Sequence, residues 1–196
     1  VCCAGSRLLV QESIINQVIR KLRDRIRTIR VGNPLDKNTD IGAINSRAQL
    51  TKIEQLVQSG IDEGASLVQS TCAVPEKGFW FRPGFLTGVT ASHRVAREEI
   101  FGPVAPIVRV ESTAQAVQMA NDTEYGLISY VYARDAAEGI RVGRRMESGM
   151  VAVNRGVASD PAAPFGGMKQ SGLGREGGFH GIHEFLEPQY LAVDFG

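Results

Sequence analysis

Cysteine is the side chain whose placement in this sequence most invites chemistry. Cys2 and Cys3 stand together just ahead of a short polar turn, Ala4-Gly5-Ser6, that feeds an apolar run. A thiol at such a position is either a small buried hydrophobe or a nucleophile. Local sequence favours the first, because free cysteine usually packs in a core. With Cys72 the thiols form an odd set that has neither metal-ligand spacing nor a disulfide framework. The neighbours Cys2 and Cys3 could join only through a strained ring, so a reducing, cytoplasmic setting is expected. Gly166, Gly167, Gly172 and Gly174 lack the G-x-G-x-x-G spacing between a strand and a helix, which argues against a phosphate loop. They are expected to pass the backbone through positive φ and to allow close packing. Lys169 and Arg175 beside them are read as structural ion-pair partners. His93, His180 and His183 cluster with no carboxylate or thiol, and surface or capping roles suffice for them.

The elements that would position these groups follow from periodicity. Residues 6–11 suit a buried strand, and Ser13 is a candidate cap for the helix after it. Ile14, Ile15, Val18, Ile19, Leu22, Ile26 and Ile29 recur at helical spacing, and Gly32-Asn33-Pro34 is expected to end that helix. Its interleaved Arg20, Lys21, Arg23, Arg25 and Arg27 read as a solvated face, since no aromatic residue alternates with them as a nucleic-acid surface requires. A second amphipathic helix fits 47–63, with Leu50, Ile53, Leu56, Val57 and Ile61 inward. Strands are expected near 66–69, 81–89, 104–110, 129–133 and 150–154, and helices at 113–121 and 135–145. Strands alternating with helices of this length indicate βαβ units, hence an α/β fold with a mostly parallel, helix-covered sheet. Residues 189–195 alternate like a strand with no hairpin partner nearby, a pattern that often completes another subunit's sheet.

Composition excludes several classes. Apolar residues are 43% and charged residues 22% of the 196, ordinary for a globular domain. A formal charge of +1 provides no field for nucleic acid or an anionic membrane. No apolar run approaches the roughly 20 residues that span a bilayer. The first residue is Val1, with no initiator Met and no signal-peptide pattern, so the chain is expected to be a fragment of a longer polypeptide.

Val1-Cys2-Cys3-Ala4-Gly5-Ser6-Arg7 resembles the active-site segment of the aldehyde dehydrogenase superfamily, whose pattern is Cys-x-Ala-x-Ser-Arg. Glu98-Glu99-Ile100-Phe101-Gly102-Pro103 resembles the family's cofactor-contacting motif. Asn121-Asp122-Thr123-Glu124-Tyr125-Gly126-Leu127 is similar to its Asn-x-(Thr or Ser)-x-Tyr-Gly-Leu segment. The run from Pro164 to Glu176 resembles its Pro-Phe-Gly-Gly-x-Lys-x-Ser-Gly stretch. Four such segments in the family's order span nearly the whole chain, which is a specific match.

The resemblance implies that Cys2 is the nucleophile, with its backbone N–H as one oxyanion donor. It implies NAD or NADP as cofactor, with Glu99 accepting from the nicotinamide ribose, Phe101 packing beside that ribose, and Gln49 and Lys52 near the adenosine ribose. For Gln49 and Lys52, plain solvation is an equal alternative. Phe165 would line the substrate tunnel, against a reading as a hydrophobic pin for the glycine turn. The stretch Asn154 to Asp160 is similar to succinate-semialdehyde dehydrogenases, in which a serine matching Ser159 bonds the substrate's distal carboxylate. Ser159 could equally be a turn serine before Asp160-Pro161, and Arg155 either approaches that carboxylate or belongs to the loop.

The second oxyanion donor, the general base and the dinucleotide domain are expected upstream of Val1, so the isolated 196 residues should be inactive. Residues 1–186 are read as the catalytic domain and 187–196 as an oligomerisation strand. The expected partners are a small aldehyde and further copies of the chain, with no nucleic acid or membrane. Two rivals remain open: a broad-range or amino-aldehyde dehydrogenase, and a non-catalytic scaffold or oligomerisation module.

Overall fold

The computed structural model describes residues 1–196. The chain forms two compact units, Val1–Ala120 and Asn121–Gly196. Their boundary falls inside the stretch that sequence alone reads as one catalytic domain.

In the first unit the order is β1 (Leu8–Gln11), α1 (Ile15–Ile26), α2 (Arg47–Asp62), β2 (Ser66–Gln69), β3 (Gly84–Val89), α3 (Arg94–Arg97), β4 (Val104–Val110) and α4 (Thr113–Asn121), which ends at the boundary. The four strands form one sheet in the order β1-β4-β3-β2. β1 and β3 both run parallel to the central β4, while β2 runs antiparallel to β3. The sheet is therefore mixed, with parallel pairs predominating.

Strand alternation gives the sheet two apolar faces. On β3 and β4, Phe85 and Ile107 turn to one side and pack with Val10, Ile26 and the α1 residues Ile15, Val18, Ile19 and Leu22. Leu86 and Val108 turn to the other side and join Ile53, Leu56 and Val57 of α2, Val95 of α3, Ile100 and Val104. Helices thus cover both faces, as parallel strands require. Each large side chain buried here contributes roughly 1.5–3 kcal/mol. The basic residues of α1 stay exposed, as a solvated face should.

Both ends of α1 differ from expectation. Ser13 lies in a 3₁₀ turn (Glu12–Ile14) and caps nothing: α1 begins after Ile14 with no side-chain cap. α1 ends at Ile26, well before Gly32, because the backbone beyond it is drawn into other bonds. Thr28 N–H and Oγ1 both donate to Arg25 O, Arg30 N–H donates to the Asp40 carboxylate, and Gly32 N–H donates to Ile41 O. α2, by contrast, has a proper start, with Ser46 Oγ accepting from Gln49 N–H at 3.1 Å, a cap of the kind that contributes about 1 kcal/mol.

The second unit holds β5 (Tyr125–Gly126), β6 (Ile128–Val131), α5 (Ala136–Gly143), β7 (Met150–Val153) and β8 (Met168–Lys169), with a 3₁₀ turn at Gly181–Phe185. β6 and β7 pair in parallel on either side of α5, a single βαβ unit, and α5 is capped by Asp135, whose carboxylate accepts Ala137 N–H. β5 and β8 form a short antiparallel ladder. Residues 189–195, expected as a strand, carry no ladder within this chain and are exposed throughout. A strand needs a neighbour's N–H and C=O groups, and no strand of this chain pairs with the segment.

Candidate active site

Cys2 occupies a β-turn whose closing bond runs from Ala4 N–H to Val1 O at 3.2 Å. The turn immediately precedes β1, and Cys2 is exposed while Cys3 is half-buried. None of the three cysteines is in a disulfide. Residues 1–196 do not themselves pack Cys2 as a core hydrophobe.

The segment 98–103 joins α3 to β4 and is built in an unusual way. Ile100 is buried in the core, yet Phe101 is half exposed and its φ is +51°, in the left-handed region that bulky residues avoid. Gly102 follows because a side chain would not fit: a Cβ there would lie 2.6 Å from Ile53 Cδ1, on a fully buried residue of α2. The two glutamates before the turn part company. Glu98 takes the Arg94 guanidinium one helical turn back, and that hydrogen bond holds its carboxyl below the ordinary value of 4.5. Glu99 is half-buried and forms no hydrogen bond or ion pair within the chain, so its carboxylate is free to accept from a ligand.

Gln49 is neither simply solvated nor idle. Its side-chain amide donates to Ile100 O at 2.9 Å and to Phe101 O at 3.3 Å, which brings α2 and the 98–103 turn together. Lys52, one turn along, is exposed, and its charge adds a smaller pull on the Glu98 carboxyl after that of Arg94. Of the five residues expected on the cofactor side or at the nucleophile, Gln49, Glu99 and Phe101 are thus assembled on one local structure. Sequence reasoning missed the clamp that assembles them. The i, i+4 spacing of Gln49 and Ile53 on one helix face was its only available signal.

In the second unit, the substrate-side residues lie on an irregular segment. Asn154 extends the β6–β7 ladder through its own N–H to Val131 O, and its side chain grips Ala133 twice, Oδ1 accepting from the N–H and Nδ2 donating to the carbonyl, both at 2.9 Å. Its φ is +53°. Arg155 follows, exposed and outside this clamp. The turn after Ser159 is closed by Asp160, which accepts Ala162 N–H on its side chain and Ala163 N–H on its carbonyl. The Ser159 hydroxyl is not what holds that turn, and it remains exposed. Phe165 is half-buried, and its backbone exchanges both bonds with Glu176, at 2.7 and 2.8 Å.

The glycine-rich stretch divides by function. Gly172 and Gly174 have positive φ, as expected, whereas Gly166 and Gly167 do not and are instead places of close backbone approach. Lys169 pairs with Glu147 at 2.7 Å and also donates to Asn121 O and Thr123 O, which is the structural role expected of it. Arg175 differs from expectation: its guanidinium donates to the carbonyls of Gly167 and Gly174, so it braces backbone rather than forming an ion pair. His93 is buried, not superficial. Its ring bonds Thr90 through Nδ1 and Glu63 O through Nε2 at 3.0 Å, tying α3 to the end of α2. No group of three or more His, Cys, Asp or Glu side chains gathers as metal ligands would. No helix is long and apolar enough to cross a membrane.

An exposed thiol turn before a parallel strand, and a clamped turn carrying a glutamate and an exposed aromatic, stand on a helix-covered α/β sheet. The chain belongs to the aldehyde dehydrogenase family, whose model matches residues 1–191. It is 38% identical over 192 residues to the NADP(+) succinate-semialdehyde dehydrogenase of Escherichia coli strain K12, covering 98% of this chain and 40% of that protein. Among solved structures it superposes on succinate-semialdehyde dehydrogenase from Burkholderia pseudomallei with TM-score 0.89 and 38% identity, covering 94% of this chain and 38% of that one. It also superposes on betaine aldehyde dehydrogenase from Staphylococcus aureus in complex with NAD+, at TM-score 0.88 and 37% identity, over 94% of this chain and 38% of that one. The chain therefore spans about two fifths of the length of these relatives.

Proposed function

We propose that the protein to which these residues belong oxidises a short aldehyde, succinate semialdehyde to succinate, with NAD or NADP, and that Cys2 is its nucleophile. The observation that carries this reading is the exposed Cys2 thiol on its turn, in a chain that matches the family from its first residue to residue 191. Cys2 Sγ adds to the aldehyde carbon to give a thiohemiacetal, and the Cys2 backbone N–H donates to the oxygen as it gains charge. The bound dinucleotide supplies the acceptor for the hydride that leaves this carbon. Water then hydrolyses the resulting thioester and frees the thiol.

The residues of the 98–103 turn suit a nicotinamide ribose. Glu99 is an acceptor without a partner in the chain, matched to a diol that donates, and Phe101 presents an exposed ring beside it. Lys52 stands exposed on the same helix as Gln49, available to the rest of the dinucleotide. Ser159 and Arg155 bind the far carboxylate of the substrate, and Phe165 packs along its carbon chain. A hydrogen bond to a charged group contributes roughly 1.5–3 kcal/mol, enough to prefer an ω-carboxylate to a plain alkyl end. That both Ser159 and Arg155 are exposed and uncommitted to the turns around them supports this assignment. Residues 187–196 serve as the oligomerisation strand, their exposed Tyr190, Leu191, Val193 and Phe195 covered by another copy of the chain.

The likeness to betaine aldehyde dehydrogenase favours a second reading, a broad-range or amino-aldehyde specificity on the same scaffold. Turnover of succinate semialdehyde, betaine aldehyde and hexanal by the full-length enzyme separates the two. The first reading expects kcat/KM to be highest for succinate semialdehyde by at least about tenfold. Equal values on all three remove the carboxylate assignment and leave the second.

A further inference from the structure

We propose that the groove between α1 and β3 binds a small multivalent anion, one that carries two or more phosphate groups. The groove has a volume of about 430 Å³ and is lined by Asn16, Ile19, Arg20 and Arg23 of α1 and by Thr87 of β3. Small-molecule sites occupy roughly 300–1,000 Å³. The groove opens where the apolar face of the sheet runs out. Val68 and Phe85 pair across β2 and β3 and pack against α1, and the next pair on that face is Ser66 and Thr87. Two short polar side chains there replace larger apolar ones, so this flank of the helix stands over open space.

What overhangs that space is cationic. At about 3.6 residues per turn, Asn16, Arg20, Arg23 and Arg27 fall on one narrow stripe beside the apolar face of α1. The fold engages other arginines nearby: Arg25 donates to Thr28 Oγ1 at 2.7 Å, and Arg30 pairs with Asp40 at 3.7 Å. Arg20, Arg23 and Arg27 form no hydrogen bond or ion pair within the chain, and Asp24, the carboxylate on α1, pairs with none of them. Like charges one turn apart repel, and a multivalent anion between them turns that cost into attraction. Arg20 and Arg23 lie roughly 5–6 Å apart at Cβ, so two charged groups of one molecule can each meet a guanidinium. A phosphate group suits the set, since its oxygens can take two parallel bonds from a guanidinium and a further one from the Asn16 amide. No aromatic side chain lines the groove, which favours a small molecule over a nucleic-acid strand.

The test uses the full-length enzyme with saturating dinucleotide, so that phosphate contacts made by the cofactor are already filled. Tripolyphosphate and citrate are titrated by calorimetry at constant ionic strength. Wild type should bind tripolyphosphate with a dissociation constant below about 1 mM and bind citrate more weakly. The double variant Arg20→Gln, Arg23→Gln should bind tripolyphosphate at least about tenfold more weakly. Lys21→Gln with Arg25→Gln removes the same charge from the other flank of α1 and should change the constant by less than about twofold. Equal losses in the two double variants would mean that net charge alone draws the anion, and would overturn the proposal. So would wild-type affinity in the first double variant, no binding by wild type, or citrate bound as tightly as tripolyphosphate. Where the variants do not fold, hydrogen exchange on wild type decides: tripolyphosphate should slow amide exchange along α1 and β3, and protection confined to other elements would sink the inference.

Discussion

The two segments read here as ligand-binding are held in opposite ways. The 98–103 turn is pressed onto α2: Ile100 is in the core, Gly102 meets Ile53, and Gln49 bonds two successive carbonyls. The 154–165 segment is fixed at its two ends, by the Asn154 grip on Ala133 and the Phe165–Glu176 bridge, with the Asp160 turn near its middle. Between Asn154 and Asp160 it runs largely exposed. A contact built into the core holds its ligand groups in a fixed frame. A substrate end that differs from one relative to the next suits side chains that the fold does not use. The difference teaches where substitutions should disturb folding: at Gly102 in the first segment, and not at Ser159 or Arg155 in the second.

Gly102→Ala should sharpen that contrast most. A methyl group 2.6 Å from Ile53 Cδ1 overpacks a fully buried neighbour, and a cost of about 1–3 kcal/mol is expected, read as a drop of several degrees in the melting temperature of the full-length enzyme. An unchanged melting temperature would mean that the turn is not pressed on α2 as described.

Ser159→Ala comes next and should act only on binding. The exposed hydroxyl braces nothing, so melting should be unaffected, while KM for succinate semialdehyde rises about tenfold and KM for hexanal stays the same. Arg155→Ala should move in the same direction. A loss of stability in either variant would break the comparison.

The smallest effect belongs to the Arg94–Glu98 pair. Glu98 is held below 4.5 in the folded state by the Arg94 hydrogen bond, so the pair stabilises above the ordinary glutamate value, and that contribution is lost as pH falls through the lowered one. Both side chains are more than a third exposed, at 52% and 43%, and solvent screening keeps the contribution small. Glu98→Gln should therefore lower the melting temperature slightly at neutral pH and not at all well below the ordinary carboxylate range.

The legible part of this molecule is the part with periodic burial. The residues expected inward on α2 are largely the buried ones, and β2, β4 and α4 fall at their expected limits, because each buries a face whose period can be counted. Ile61 is the exception on α2, since it lies 37% exposed near the helix end. The end of α1 was not legible, because it depends on Asp40 reaching back ten residues to Arg30 N–H, and no local pattern announces such a bond. The division at Ala120 was hidden for a related reason: it depends on which elements pack together, and not on any linker-like composition. His93 looked superficial, yet it is buried among polar groups that lie thirty residues apart in sequence. At the candidate site, the motifs that resemble the family's pointed to Cys2, Glu99, Gln49 and Ser159, and the structure added the bonds that Gln49, Asn154 and Asp160 make. Supports of this kind bond to main chain, where the identity of the partner leaves no mark in the sequence.

The central claim is covalent chemistry at Cys2, and acid-quenching the full-length enzyme during turnover of succinate semialdehyde with its dinucleotide tests it most directly. Peptide mapping by mass spectrometry should find a succinyl group on Cys2 and none on Cys3 or Cys72, and Cys2→Ala should remove the adduct and lower the oxidation rate by about a thousandfold or more. An adduct on another residue, or a Cys2→Ala enzyme that oxidises the aldehyde at an undiminished rate, would contradict the account.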